Sequence, residues 1–168
     1  QRIRDMVLGS TNAQARGATR IQYGSGTYNL DKPTGKVPGS YSWSQVGQDT
    51  VIDKLLNGRR DGFFIEIGGY DGELHSNSLF FEQQRGWTGL LVEANPYTYK
   101  QMVARDRKCA MVHACISRTL PSMDFKLGGG LTTAIQASST QHRHRIDNDA
   151  KKYGENKQWE GVGDVVTT

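Results

Sequence analysis

A short glycine-rich stretch bracketed by acids carries the residue types most suited to chemistry. Glu66, Gly68, Gly69, Asp71 and Gly72 fall within seven residues, and a second acid, Glu93, stands about twenty residues later. Glycines permit positive φ and let a ligand come close to the backbone. A carboxylate at the end of the next strand accepts hydrogen bonds from ribose hydroxyls, so the pair suits a nucleoside held in a doubly wound α/β fold. The order Gly-x-Gly-x-x-Gly, which seats a pyrophosphate on a helix N-terminus, is absent here. A dinucleotide is therefore a poor match.

The elements that must position these residues emerge from the patterning. Phe63–Ile67 is bulky and β-prone, and it runs straight into the glycines. Gly89-Leu90-Leu91-Val92 forms a second strand ending in Glu93, and Ala110–Ile116 a third. Between them lie helical segments, one after the cap-like Ser76-Asn77-Ser78 and one over Tyr97–Arg105. Ahead of them, Val51, Ile52, Leu55 and Leu56 mark an apolar helix face, with Asn57-Gly58 as its stop. The order β-α-β-α-β implies right-handed crossovers and a parallel sheet. Ser122–Leu127 reads as a fourth strand, antiparallel or at an edge, and Val165-Val166 as the start of another. Residues 136–161 read as polar and breaker-rich, and Gly128-Gly129-Gly130 as a mobile turn or a lid.

The chain has 168 residues, enough for one domain. Residues 1–40 are poor in large apolar side chains and read as an extended arm with breakers Pro33 and Pro38; residues 41–168 form the domain. A net charge of +4 and a pI near 9.1 are spread among interleaved acids, so no nucleic-acid partner is expected. No apolar run reaches the roughly 18 residues of a membrane span.

Other reactive side chains are less suggestive. Cys109 and Cys115 on one strand would be roughly 20 Å apart, too far to bridge. His142, His144 and Asp147 sit among arginines, which opposes a metal, and none is expected. His113 in a strand reads as a satisfied core histidine, and Trp43 and Trp87 as packing residues. Asn77 suits a helix cap or a ligand contact, and Asp71 a turn or a ligand neighbour.

Taken together, Ser44–Asp49, Gly62–Gly72, Ser76–Ser78, Gly86–Pro96 and His113–Ser117 resemble the FkbM-type methyltransferase family, most closely its animal, Star-like branch. The resemblance covers about residues 41–127. It implies a Rossmann-like doubly wound parallel sheet of the class I methyltransferase type, with S-adenosylmethionine as cofactor. Glu66, Gly68 and Gly72, with Gly69 in the same turn, would shape the methionine end. Glu93 would hold the ribose hydroxyls, and Ala114 and Cys115 would lie by the adenine. Asp71 and Asn77 would line the mouth.

Such a protein would methylate a hydroxyl of a glycan or small molecule, an in-line displacement in which the protein mainly aligns the reactants. Family members continue past the position of Val166 with a further acidic strand, so the sequence reads as cut after the third or fourth strand. That leaves two further expectations: a second protein chain completing the sheet, and a non-catalytic secretory-pathway or structural module that retains the fold. The relatives point to the secretory pathway or the extracellular space, with the cytoplasm as the alternative.

Overall fold

The computed structural model describes residues 20–32, 42–153 and 160–168. The expectations for residues 1–19 and 33–41, including Pro33 and Pro38, and for 154–159 lie outside the described residues. The chain is an α/β protein whose main sheet has four mostly parallel strands, an arrangement compatible with a Rossmann-like fold.

Strands β2 (Phe63–Ile67), β3 (Thr88–Glu93) and β4 (Ala110–His113) pair in parallel, with β3 central. Glu66 lies opposite Leu91, and Glu93 opposite His113, which brings the two acids to the C-terminal ends of neighbouring strands. Helix α2 (Leu79–Arg85) joins β2 to β3, and α3 (Pro96–Ala104) joins β3 to β4. Side chains alternate across a strand, so Phe64, Leu91 and Met111 point together onto one face. There they form a core with Met102 of α3 and Cys109. A second cluster, Trp43, Leu79, Phe80 and Phe81, secures α2. Asn95 caps α3, its side chain accepting from Tyr97 N–H at 3.0 Å, with Pro96 at the first turn.

Several expectations need correction. Ile21–Tyr23, placed in the arm by composition, is a strand, β1, that pairs antiparallel with β4. Tyr28 and Leu30 behind it pack on the α2 cluster, so this polar stretch is ordered by the domain itself. Helix α1 (Gln48–Leu55) forms, but it turns its apolar stripe outward: Val51 is 57% and Leu55 75% exposed. It is tethered instead through polar groups. Buried Asp49 accepts from Ser42 Oγ, Ser44 Oγ and the Trp43 amide, and Asp53 pairs with Arg85 at 2.6 Å. Burial alone would raise the Asp49 carboxyl; the hydrogen bonds outweigh it and hold it below the usual range.

The late strands do not extend the parallel sheet. β5 (Asp124–Lys126) pairs antiparallel with β6 (Thr133–Ala134) and with β7 (Val165–Thr167) in a second, three-stranded sheet. Residues 140–153, read as part of a breaker-rich stretch, form helix α4 (Thr140–Tyr153). The helix contains no Gly or Pro, and it buries Ile146 against Gly128. One buried residue is too weak a period to read in advance. The third strand also stops at His113 rather than Ile116, because the chain leaves the ladder after the Ala114 N–H bonds Glu93 C=O.

Candidate functional site

A cavity of about 360 Å³ opens where β2, β3 and β4 end and the small sheet folds over them. Gly68, Tyr70, Glu93, Ala114 and Cys115 line one side, and Met123, Phe125 and Thr132 the other.

Glu93 is its principal charge. The side chain is buried, and each carboxylate oxygen is fixed by a backbone amide: Oε2 accepts from Tyr70 N–H and Oε1 from Asn95 N–H, both at 2.8 Å. The Thr98 hydroxyl and the Ala94 amide also act on this carboxylate, which still borders the cavity. Burial raises the Glu93 carboxyl above the usual range, and the hydrogen bonds from backbone amides and the Thr98 hydroxyl only partly offset this. Two pre-aimed acceptors in a sheltered cavity suit a ligand with adjacent hydroxyls.

The glycine turn divides its labour. Gly68 has φ +76°, and a Cβ there would meet nothing within 4 Å, so a side chain would take up open space at the cavity. Its amide and that of Gly69 both donate to Val92 C=O. Gly69 and Gly72 instead let the turn sit on the core, since a Cβ at Gly69 would lie 2.9 Å from Met102 Sδ and one at Gly72 3.0 Å from Met102 Cγ. Between them Tyr70 adopts φ +52°, uncommon for a residue with a side chain, and this aims its amide at Glu93.

Of the residues expected at the site, the structure brings Gly68, Glu93, Ala114 and Cys115 together around the cavity. Glu66, Gly69, Asp71, Gly72 and Asn77 are not among its lining residues. Glu66 is occupied elsewhere: it accepts from Ser76 Oγ at 2.9 Å, from Asn77 N–H at 2.8 Å and from Ser78 Oγ. The Asn77 side chain is exposed, and only its backbone takes part. Asp71 faces the opposite side of the turn, where it lines a hollow of about 140 Å³ with Trp43 and Arg105. The spacing of these residues in sequence suits a shared turn, but the turn has two sides.

Several lining residues carry no clear sequence signal. Met123 and Phe125 arrive with the small sheet, and Gly129 and Gly130, from the run read as a mobile turn or a lid, lie at the cavity. Thr132 Oγ1 accepts from Asn95 Nδ2 at 3.2 Å and from Gly128 N–H at 3.1 Å, which pins that loop to the β3 end. Cys115 Sγ and the Thr168 hydroxyl tie β7 down through Thr168 C=O and Ala94 C=O. Two of the four histidines bond to the backbone. His113 Nε2 bonds Ala94 C=O at 2.9 Å and its ring stacks on Tyr99, while His142 Nε2 bonds Leu131 C=O at 3.0 Å. Among the described residues no group of three or more His, Cys, Asp or Glu is placed to hold a metal, and no helix is long and apolar enough to cross a membrane.

No family model, no curated protein and no solved structure matches the chain.

Proposed function

We propose that the cavity binds S-adenosylmethionine and that the fold serves methyl transfer to a hydroxyl of a glycan or small molecule, on a class I methyltransferase plan. The observation that carries this reading is the buried Glu93 carboxylate, held by two backbone amides and facing a cavity beside a glycine turn. A nucleoside diol would donate to Glu93 where the carboxylate borders the cavity. Gly68 leaves room for the ligand at the turn, and the Ala114–Cys115 segment with Phe125 offers apolar walls to a base.

When bound, the cofactor would supply a methyl group already activated on a sulfonium. The chain's own residues bind and orient it, and the small sheet limits water. The Tyr70 hydroxyl is pushed up, chiefly by burial and further by Asp71 and Glu93, so it is protonated at neutral pH and serves as a donor rather than a base.

A second reading has an observation in its favour. The ionisable side chains lining the cavity are Glu93, Tyr70 and Cys115, and Glu93 is committed to amides. That inventory suits a module that binds the nucleoside without turning it over, as expected of a non-catalytic secretory-pathway relative. Calorimetry with S-adenosylmethionine on the 168-residue chain tests the binding. Glu93→Ala is expected to weaken it about tenfold or more, the loss of hydrogen bonds to a charged acceptor. Absence of binding by the unaltered chain overturns the reading; equal affinity in Glu93→Ala overturns the ribose role. Binding without methylation of any hydroxyl acceptor selects the second reading.

A further inference from the structure

The glycine turn is gripped from behind by two arginines on the segment that leaves α3 and enters β4. Arg107, fully buried, donates to Gly72 C=O at 2.8 Å and pairs with Glu82 at 2.7 Å. Arg105 does something different, because its partners come from separate segments. Its Nη2 donates to Asp31 Oδ2 at 2.6 Å and Asp71 Oδ2 at 3.2 Å, and its Nη1 lies 3.2 Å from Glu73 Oε2 and from Asn29 C=O. Glu73 in turn accepts the amides of Asp31 and Lys32. One guanidinium therefore staples the 29–32 segment to the turn that carries Tyr70.

Asp71 is the link to the cavity. Its Oδ1 accepts from the amides of Glu73 at 3.0 Å and Leu74 at 2.7 Å, which closes the turn immediately after Tyr70. Tyr70 is held at positive φ, a conformation that persists only where the surroundings impose it. Its amide is one of the two that fix Glu93. We infer that Arg105 is a positioning residue for the nucleoside site: through Asp71 it holds Tyr70 in its left-handed conformation, and so holds Glu93 in place, with the 29–32 segment as part of the clamp. This rests on the nucleoside reading for its functional consequence, while the clamp itself is a statement about the turn. The Asp31 carboxyl is held below its usual range, first by its hydrogen bond from Arg105, as such a clamp requires.

The test pairs amide hydrogen exchange by NMR on the full 168-residue chain with calorimetry using S-adenosylmethionine. Arg105→Gln is expected to speed exchange at Tyr70 about tenfold relative to the core amides of Leu91 and Met111, and to weaken binding about tenfold. Arg105→Lys, which keeps the charge, is expected to restore both in part. A merely structural role would move all amides together and leave no selective change at Tyr70, which overturns the inference. Unchanged affinity with selectively faster exchange overturns its link to the site. If the unaltered chain binds no cofactor, the nucleoside reading falls, and exchange at Tyr70 still decides the clamp. Should Arg105→Gln not fold, Asp31→Asn carries the same comparison with a smaller expected change.

Discussion

The ends of β2 and β3 carry the same chemical group and put it to different uses. At the end of β2, Glu66 is wrapped by Ser76, Asn77 and Ser78, and the same serines accept from Arg107, which is paired with Glu82. Every donor in that network has a partner within the protein. At the end of β3, Glu93 is held by the Tyr70 and Asn95 amides, assisted by the Ala94 amide and the Thr98 hydroxyl, and it faces a cavity. A carboxylate wrapped by hydroxyls of its own loop and away from the cavity is structural; one that borders the cavity, and is raised by burial, can meet a ligand. The difference lies in the residues beyond each strand. Past the turn after β2 stand Ser76-Asn77-Ser78, rich in hydroxyls; after β3 comes Ala94-Asn95-Pro96, which offers amides and then a helix.

The comparison can be broken most severely at the filled end. Arg107→Met is expected to destabilise the chain by about 3–5 kcal/mol in urea unfolding, because it leaves Glu82 buried without its cation. A loss below about 1 kcal/mol would show that the network is not a closed unit. Glu66→Ala removes an acceptor shared by three donors and is expected to cost about 2 kcal/mol while changing cofactor affinity little. If Glu66→Ala instead abolished binding at unchanged stability, the assignment of the two acids would be reversed.

The smallest effect sharpens the other end. Because the folded Glu93 carboxyl is raised above its ordinary value of 4.5, its share of stability is present below that pH and is lost as pH rises through the folded value. Glu93→Gln removes this titration. The melting temperature of Glu93→Gln relative to the unaltered chain is therefore expected to climb as pH rises above 4.5. A flat or falling difference would mean that the amides outweigh burial.

A second contrast separates the two faces of the main sheet. Phe64, Leu91 and Met111 are covered by helices, whereas Ile65 and Ile67 on the opposite side of β2 are 62% and 65% exposed. Strand β2 is the outer strand on that side of the sheet among the described residues. Parallel sheets are ordinarily covered on both faces.

How far the chain could be read in advance varies with the physics involved. Local signals locate β2, β3, α2 and α3, because alternation and glycine stops act within a few residues. The same locality brings Gly68, Glu93, Ala114 and Cys115 to one end of the sheet, since a parallel register puts strand ends side by side. β1 escapes such a reading because its ordering comes from pairing with β4, far away in sequence. Helix α1 misleads because an apolar stripe states what can be buried, and only packing decides what is.

By itself, then, the sequence determined the β-α-β-α-β core, the glycine turn and the two acids that end neighbouring strands. It did so because period, propensity and turn chemistry are short-range. The tertiary structure alone decided which acid faces a cavity, which side of the turn Asp71 takes, and that β5, β6 and β7 form a separate sheet over the site. Those choices rest on partners distant in the chain, such as Arg105, Arg107 and Thr132, whose hydrogen bonds exist only once the segments have met.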